Sequence, residues 1–393
     1  MTALQAPCAV CKGRGREIVQ TQSLVLLNRD AACEIHFCAC NDCGHLQQWP
    51  PVAPELMAHH YRTFATYELF GDPVQLQQAP PSRHARRFLA LARDIGLPPG
   101  RAYDVGCASG ETLNQFRREG WQVRGCDPSP SAVAQAGTLF GIDADLGGEE
   151  DAVPGQKDLD LLLICHVLEH LYDPVAALAR FHDALAPNGH LLLEVPCAIA
   201  PDRLPAGWFT FEHLHYYQPA ILDRLLRQAG FEIVEIRIAM TAEHYPVIAV
   251  AARKKMAKPA KIVTDPKAAL AMAHQYIARD TALWAAAERK LAGLNGPVFL
   301  YGAGIHTAQL LHHTNLNDRA QIVAVVDRDS KKWGQALAGS TVISPDDLCR
   351  DQSDTPVVIS SFVSERAIVR ALLEGGIAPH RIKPLYTDLT ACS

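Results

Sequence analysis

The stretch "WFTFEHLHYY", from Trp208 to Tyr217, gathers one carboxylate, two imidazoles and five aromatic rings into ten residues. A histidine has an ordinary pKa of about 6.5, so it can take a proton at neutral pH when a neighbouring group orients it. Glu212 stands beside His213, and Tyr216 follows three residues later. This pattern predicts a proton-handling site. The alternative is that Glu212 and His213 only fix the turn before the next helix, and that the tyrosines are core aromatics.

A second group of candidate residues is "CHVLEHL", which begins at Cys165 and follows an apolar strand pattern. His166 stands directly after the end of that strand, so it is the second candidate for a general base. Glu169 and His170 come next, and helix capping and packing are the favoured interpretation for both.

Two C-x-x-C motifs near the start of the chain predict a metal site. They are "CAVC" (Cys8, Cys11) and "CNDC" (Cys40, Cys43), with 28 residues between them. Two such turns can close four thiolates around Zn²⁺, and four protein ligands leave no open position, so the zinc would be structural. His36 and His45 are possible substitutes for one thiolate, and a redox pair or chance cysteines are the other interpretations.

A glycine loop, "DVGCASG", predicts a ligand at a strand-to-helix turn. Gly106 and Gly110 allow the backbone to approach a ligand closely, and Ala108 between them is also small. The next strand pattern, "QVRGCD", ends at Asp127, 23 residues after Asp104. An acidic side chain at that position suits hydrogen bonds to ribose hydroxyls. The spacing differs from the G-x-G-x-x-G pattern of NAD-binding proteins.

Alternating strand and helix patterns place these motifs in an α/β fold of three parts, in which apolar strands separated by helices imply a parallel sheet covered on both faces. We predict a small zinc-binding N-terminal domain, a doubly wound Rossmann-like central domain and a C-terminal Rossmann-like domain. An Ala-rich helical linker joins the last two. The predicted boundaries are 1–75, 76–255, 256–295 for the linker, and 296–393.

A second glycine loop, "LYGAGIHTAQLL", opens the C-terminal part. Thr307 stands where a dinucleotide fingerprint has its third glycine, and Asp327 ends the following strand. The dinucleotide signal is therefore weak. The favoured interpretation is a Rossmann-like domain whose loop packs against the central domain or contacts substrate.

Composition narrows the classes of function. The chain has 393 residues, 48% hydrophobic and 20% charged, with a net charge of −5. This describes a globular protein without the basic surface of a nucleic-acid binder. No apolar run reaches the ~18 residues of a membrane helix, and the N-terminus lacks a signal core. We therefore expect a cytoplasmic protein with neither nucleic-acid nor membrane partners.

Residues 80–253 resemble a class I S-adenosylmethionine-dependent methyltransferase through "DVGCASG", "GCDPS", "CHVLEHLYDP" and "LAPNGHLLLEVP". The resemblance implies that the loop from Gly106 lies against the amino-acid part of the cofactor and that Asp127 holds the ribose diol. It also puts His166 beside the transferring methyl group. Ala108 departs from the family's usual glycine. The implied cofactor-binding residues are Asp104, Gly106, Cys107, Ala108, Gly110, Asp127, Pro128, Cys165 and His166.

The whole chain resembles the sugar C-methyltransferases, which methylate a nucleotide-activated keto-deoxysugar. The family's glutamate, histidine and aromatic match Glu212, His213 and Tyr216. The resemblance implies a nucleotide-sugar substrate, S-adenosylmethionine and structural zinc. Thr210 stands where the family has tyrosine, which keeps open an O- or N-methyltransferase of a glycan or secondary metabolite. A non-catalytic, zinc-stabilised binding protein is the alternative of another class.

Overall fold

The computed structural model describes residues 7–29, 31–63, 69, 71–240, 245–255 and 264–387. Residues 256–263 of the predicted linker lie outside these residues. The described chain divides into two compact units. The first comprises the described residues within 1–17, 38–203 and 212–272, and the second those within 18–37, 204–211 and 273–393.

The strands, numbered in chain order, are β1 (Arg16–Leu24), β2 (Cys33–Cys40), β3 (Leu46–Gln48), β4 (Arg101–Val105), β5 (Gln122–Asp127), β6 (Ala144–Leu146), β7 (Leu159–Cys165), β8 (Leu185–Pro196), β9 (His215–Tyr216), β10 (Phe231–Ala239), β11 (Val247–Lys254), β12 (Pro297–Tyr301), β13 (Gln321–Val326), β14 (Ala336–Leu337), β15 (Ser340–Ile343), β16 (Val357–Ile359) and β17 (Ile382–Pro384).

The α-helices are α1 (Pro54–Thr63), α2 (Pro73–Gln78), α3 (Arg83–Asp94), α4 (Glu111–Arg118), α5 (Pro130–Phe140), α6 (Glu149–Ala152), α7 (Pro174–Ala184), α8 (Pro219–Gln228), α9 (Pro266–Leu291), α10 (Ile305–His313), α11 (Leu316–Arg319), α12 (Pro345–Arg350) and α13 (Glu365–Glu374). A short 3-10 turn, Leu168–His170, also belongs to the site described below. No helix among the described residues is both long and apolar enough to cross a membrane.

The central sheet has seven strands in the order β10-β11-β8-β7-β4-β5-β6. Strands β8, β7, β4, β5 and β6 run parallel, as the alternating pattern predicts. Strand β11 is antiparallel to both neighbours, which the sequence prediction of a parallel sheet did not include. The physical reason is local: only seven residues, 240–246, separate β10 from β11, too few for a crossover helix, so the two strands pair antiparallel.

The middle strands of this sheet are apolar on both faces because helices cover both sides. In β7, the four residues 161–164 are completely buried. The covering helices begin at recognisable caps: the Ser129 side chain accepts a hydrogen bond from Ala132 N at the start of α5, and Pro219 occupies the first turn of α8. The carboxyl ends of β4, β5 and β7 therefore share one edge, where the loops meet.

Two further sheets complete the described chain. A four-stranded sheet has the order β1-β2-β3-β9; its last strand pairs Tyr216 with Leu46. A six-stranded sheet in the C-terminal part has the order β14-β15-β13-β12-β16-β17. Its strands β15, β13, β12, β16 and β17 are parallel, and β14 is antiparallel.

Candidate active site

The first glycine loop joins β4 to α4. Gly106 and Gly110 have left-handed backbones, with φ of +75° and +79°, and a side chain at Gly106 would meet Val167 Cγ2 at 2.5 Å. Ala108 is also left-handed, with φ of +47°, so the position keeps a glycine-like backbone at some steric cost. Cys107 is buried in the core beneath the loop, so its backbone, not its thiol, faces the ligand side.

Asp127 ends β5 and closes the loop from the other side. Its Oδ2 accepts a hydrogen bond from Ala108 N at 2.9 Å, and its Oδ1 accepts one from Ser129 N at 2.8 Å. Burial raises the pKa of this carboxyl, while the two backbone N–H groups act in the opposite direction. Pro128 is half-buried and fixes the turn between Asp127 and Ser129. The loop and the acid thus form one hydrogen-bonded unit.

Asp104, in β4, lies below this unit and carries an unsatisfied oxygen. Its Oδ1 is buried and has no hydrogen-bond partner among the described residues. Burial raises its pKa well above the usual value, and the nearby Asp127 and Glu111 carboxylates add to the rise. An orphaned buried oxygen beside a loop of small residues suits a ligand's ammonium or hydroxyl group. The residues present therefore fit the amino-acid and ribose parts of S-adenosylmethionine.

His166 follows β7 and lies between two buried carboxylates. Its Nδ1 is 3.2 Å from Glu169 Oε1, and its Nε2 is 3.2 Å from Glu194 Oε1. Burial alone would lower the pKa of His166, but the hydrogen bonds to the two carboxylates outweigh it and raise the pKa to about 9. His166 is thus a cation that donates through both nitrogens, whereas the sequence made it the second candidate for the base. Its φ of +54° is a strained backbone of the kind found at functional sites.

Glu194, in β8, is the centre of a charged network that the sequence analysis missed. Its side chain is fully buried. It accepts hydrogen bonds from Arg87 Nε at 2.5 Å, from Arg87 Nη2 at 2.6 Å and from His84 Nδ1 at 2.5 Å. Burial opposes its ionisation, but the hydrogen bonds from Arg87, His166 and His84 hold its pKa far below the usual range. Cys165 Sγ lies 4.0 Å from Glu194 Oε1, and burial raises the pKa of that thiol.

The Glu194 network predicts a large effect on stability. Glu194→Gln leaves the Arg87 guanidinium partly buried without its countercharge, which we expect to lower the free energy of unfolding by about 3 kcal/mol. Urea unfolding followed by circular dichroism measures this loss. The matched control is Glu232→Gln in β10, whose carboxylate forms its ion pairs with Arg253 and Lys255 at the protein surface. We expect this control to unfold like the wild type, and an equal loss in both variants would contradict the assignment.

A second polar cluster lies beside His166 and brings together residues that are distant in sequence. Glu169 and His170 come from the 3-10 turn, and Glu212 and His213 from the segment before β9. A backbone hydrogen bond from Leu214 N to Glu169 O, 2.8 Å long, ties the two segments together. The rings of His170 and His213 are 4.9 Å apart.

The partners within this cluster differ from those expected from the sequence. The Glu212 carboxylate binds His60 Nε2 at 2.8 Å, although we assigned Glu212 to the orientation of its neighbour His213 and gave His60 no role. Burial opposes the ionisation of Glu212, but the hydrogen bond from His60 outweighs it and lowers the pKa to about 2. Burial, aided by His170, lowers the pKa of His213 to about 4. His213 is therefore a neutral imidazole at pH 7.

The aromatic residues of "WFTFEHLHYY" separate into two groups. Trp208 to Phe211 belong to the second unit, where Trp208 N donates to Tyr276 Oη at 2.6 Å. Tyr217 Oη donates to Leu168 O at 3.2 Å and is fully buried, so it packs beneath the 3-10 turn. Tyr216 has its ring centroid 5.8 Å from that of His213. Tyr216 therefore lies beside the candidate base.

The four cysteines of the two C-x-x-C motifs converge. Cys8 Sγ is 3.8 Å from Cys43 Sγ, and Cys11 Sγ is 3.5 Å from Cys40 Sγ. All four sulfur atoms lie within 4.8 Å of one another. A tetrahedral zinc site with Zn–S bonds of about 2.3 Å needs sulfur–sulfur edges of about 3.8 Å. The thiols therefore fit a zinc ion.

The two histidines considered as alternative ligands have other partners. His45 Nε2 is 3.0 Å from His215 Nδ1, and His36 Nδ1 is 2.9 Å from Thr21 Oγ1. Gly44, directly after Cys43, has φ of +76°, and a side chain there would meet Ala269 Cβ at 2.8 Å. The second knuckle therefore needs glycine at this position.

The second glycine loop repeats the hydrogen bonds of the first. Ala303 N donates to Asp327 Oδ2 at 2.8 Å, and Asp329 N donates to Asp327 Oδ1 at 2.9 Å. Two features differ. Lys332 Nζ lies 3.1 Å from Asp327 Oδ2, and Thr307 is fully buried, with Oγ1 2.8 Å from Ser360 Oγ. The acid of this loop is thus already paired with a cation.

Residues 76–236 match a family model described as a methyltransferase domain. The central domain is an S-adenosylmethionine-dependent methyltransferase. The malonyl-[acyl-carrier protein] O-methyltransferase of Alcanivorax borkumensis is 28% identical to this chain over 220 residues, 50% of this chain and 75% of that protein. The ubiquinone biosynthesis O-methyltransferase of Rhodopseudomonas palustris is 32% identical over 167 residues, 38% of this chain and 66% of that protein.

Among solved structures, the 1,6-didemethyltoxoflavin-N1-methyltransferase of Burkholderia thailandensis shares 18% identity with this chain. The similarity covers 55% of this chain and 97% of that one, with a TM-score of 0.39. Outside the methyltransferase domain, residues 295–383 match a family model described as C2185-like, N-terminal.

Proposed function

We propose that this methyltransferase methylates a carbon atom of a nucleotide-activated keto sugar, with TDP as the nucleotide. The observation that carries the proposal is the position of Glu169. Its carboxylate contacts His166, which follows the strand next to the glycine loop. One of its oxygens also lies within 4.8 Å of a ring nitrogen of His170 and of one of His213. A proton-accepting cluster thus adjoins the cofactor loop, which is the arrangement that C-methylation needs.

A carbon next to a ketone becomes a nucleophile only after a base removes its proton. We assign this step to His213, whose neutral ring can accept the proton at a nitrogen while the electron pair moves onto the ketone oxygen. The Tyr216 hydroxyl would donate a hydrogen bond to the resulting enolate oxygen. Glu212 would act by holding His60 at the edge of the cluster.

S-adenosylmethionine, when bound, supplies an electrophilic methyl group on a sulfonium, and the bond to sulfur breaks as the new bond to carbon forms. Asp127 would bind its ribose, and Asp104 with the loop from Gly106 to Gly110 would orient its amino-acid part. His166 keeps its proton because it is hydrogen-bonded to the carboxylates of Glu169 and Glu194. It would therefore act by fixing the position of the 3-10 turn. The reaction depends on positioning rather than on covalent catalysis.

The second candidate function is O- or N-methylation of a glycan or secondary metabolite. It is favoured by two relatives, which are named as O-methyltransferases, and by Thr210 at the place where the sugar C-methyltransferases have tyrosine. In that case His213 would accept the proton of a hydroxyl group. The non-catalytic alternative loses its support, because the central domain matches a methyltransferase model.

Calorimetric titration with S-adenosylmethionine, followed by a panel of nucleotides that includes TDP, separates these candidates. The proposal predicts binding of the cofactor and of TDP, and then methylation of TDP-keto sugars that His213→Asn abolishes. Cofactor binding without binding of any nucleotide would favour the O- or N-methylation of another acceptor. Failure to bind the cofactor would contradict both.

We also propose that Cys8, Cys11, Cys40 and Cys43 hold a structural Zn²⁺. Structural zinc in small modules contributes about 10 kcal/mol or more to folding. Cys40→Ser should therefore abolish stoichiometric zinc, measured by atomic emission, and make the N-terminal segment sensitive to limited proteolysis. The matched control is Cys33→Ser, a half-buried cysteine outside the cluster, which should keep one zinc per chain. A wild-type protein without zinc would contradict this proposal.

The C-terminal unit is proposed to be a Rossmann-like domain. The proposal is supported by its five parallel strands and by the glycine loop before α10. The ion pair between Lys332 and Asp327 does not favour a ribose at this loop, since a ribose diol would have to displace the lysine from the acid. We therefore assign no dinucleotide to it.

A further inference from the structure

The cluster beside the cofactor loop contains a second set of metal-ligand side chains, separate from the four cysteines. Glu169, His170 and His213 each present one ligand atom, and these three atoms lie within 4.8 Å of one another. Two imidazoles and one carboxylate are a common ligand set for transition-metal dications. The set contains no thiolate, so its metal preference differs from that of the cysteine site.

Glu169 supplies the first argument for a cation. The residue is only 1% exposed, and its Oε1 contacts His166. Its Oε2 is buried and has no hydrogen-bond partner among the described residues. Burying a carboxylate oxygen without a partner is costly, so such an oxygen indicates a missing ligand. A cation bound at Oε2 would remove that cost.

His170 supplies the second argument, because its surroundings fix which nitrogen carries a proton. Its Nδ1 is 2.9 Å from the Glu212 backbone O and 2.8 Å from Tyr61 Oη. The carbonyl oxygen can only accept and the hydroxyl oxygen can also accept, so a hydrogen on Nδ1 satisfies both contacts. In the neutral ring Nε2 then carries the lone pair. This Nε2 is 3.9 Å from Glu169 Oε1, too long for a hydrogen bond but compatible with two ligands of one metal. A histidine fixed through Nδ1 by a carbonyl is typical of metal ligands.

The neighbouring group of possible ligands provides a contrast. His84, Cys165, His166 and Glu194 also present ligand atoms close together. However, the Arg87 guanidinium already binds both oxygens of Glu194, so that carboxylate has its cation. Glu169 is paired with His166 through Oε1 alone, and its Oε2 has no hydrogen-bond partner among the described residues.

We propose that Glu169, His170 and His213 bind one transition-metal dication, and that the bound cation blocks methyl transfer. The expected inhibition rests on the proposed function, in which His213 is the base. His213 cannot give its lone pair to a metal and to a substrate proton at the same time. The nitrogen ligands favour Zn²⁺, Co²⁺ or Ni²⁺ over Mg²⁺ and Ca²⁺, which prefer oxygen. The site would thus make the enzyme sensitive to free transition metals.

Co²⁺ alone is the probe, added to the full chain with its zinc in place and without S-adenosylmethionine or acceptor. We expect one further equivalent of Co²⁺ to bind, with visible d–d bands and no sulfur-to-metal charge-transfer band. Glu169→Gln should weaken this binding by at least about 100-fold, because removing a ligand costs more than removing a second-layer partner. The control Glu150→Gln alters an exposed carboxylate outside the cluster and should bind Co²⁺ like the wild type.

Three results would overturn the proposal: no Co²⁺ binding beyond the cysteine site, equal binding in Glu169→Gln, or bound Co²⁺ without any slowing of methyl transfer. His170→Asn provides a second ligand variant if Glu169→Gln does not fold, as judged by circular dichroism. Failure of the proposed function would give a different result. The metal-free enzyme would show no methyl transfer to a keto sugar, while Co²⁺ would still bind the three side chains.

Discussion

Asp127→Asn is expected to weaken S-adenosylmethionine binding by about 100-fold. A charge-assisted hydrogen bond is worth about 1.5–3 kcal/mol, and a ribose diol offers two of them to the Asp127 carboxylate. The asparagine keeps one acceptor oxygen, so one of the two backbone N–H groups, Ala108 N on Oδ2 or Ser129 N on Oδ1, also loses its acceptor. Isothermal titration calorimetry measures the change in dissociation constant.

The second glycine loop provides a matched control for this variant. Asp327 also accepts two backbone N–H groups after a glycine loop, but it is paired with Lys332. Asp327→Asn should therefore leave S-adenosylmethionine affinity unchanged. Equal losses in the two variants would mean that the effect comes from loop stability. Unchanged affinity in Asp127→Asn would remove Asp127 from the cofactor site.

His213→Gln is expected to lower the rate of methyl transfer by about 10²–10⁴-fold, the usual contribution of a general base. Glutamine can still form hydrogen bonds, but it cannot accept a proton at neutral pH. Because His213 is not among the residues assigned to the cofactor, we expect S-adenosylmethionine affinity to stay within about twofold of the wild type. Single-turnover transfer rates and calorimetry on the same protein measure the two effects separately.

His182→Gln is the control for this prediction. His182 is a largely buried histidine on α7 whose ring lies 5.5 Å from that of Phe231, outside the proposed site. It should transfer methyl groups at the wild-type rate. If His213→Gln lost cofactor affinity and rate together, His213 would be a structural residue. If it lost neither, another group in the cluster would be the base.

The sequence predicted those features that depend on local pattern. Short stretches of sequence encode the two C-x-x-C motifs, the glycine loop with Asp127 and the strands of the central sheet. Spacing or periodicity within each stretch is enough to identify them. Pro219 at the start of α8 is a local signal of the same kind. Strand β11 shows the limit of this approach: its residues predicted a strand, but its direction depends on the short connection from β10.

The partners within the candidate site could not be predicted in this way, because they join distant parts of the chain. His84 and Glu194 are 110 residues apart, and Arg87 and Glu194 are 107 apart. Periodicity carries no information about such pairs. One signal was present: Glu194 interrupts the apolar run "HLLLEVP", and a charge inside a buried strand needs a partner. His60 beside Glu212 had no comparable signal.

The contacts of Glu212 change the interpretation that it orients His213, which was based on their being adjacent in sequence. Glu212 lies in a turn before β9, where it binds His60, while the ring of the adjacent His213 packs against that of His170. The candidate base is thus oriented by residues of the 3-10 turn and not by the adjacent carboxylate. The motif identified the right segment, and the fold decided the pairs within it.

The central claim is transfer of a methyl group to a sugar carbon, and one measurement tests it most directly. The purified enzyme is incubated with S-adenosylmethionine labelled with ¹³C in the methyl group and with a TDP-linked keto-deoxysugar, and the product is analysed by NMR and mass spectrometry. The proposal predicts a labelled methyl group bonded to carbon next to the ketone, and no such product from His213→Gln. A labelled methyl ether would contradict C-methylation, and no transfer to the nucleotide sugar would contradict the proposed substrate.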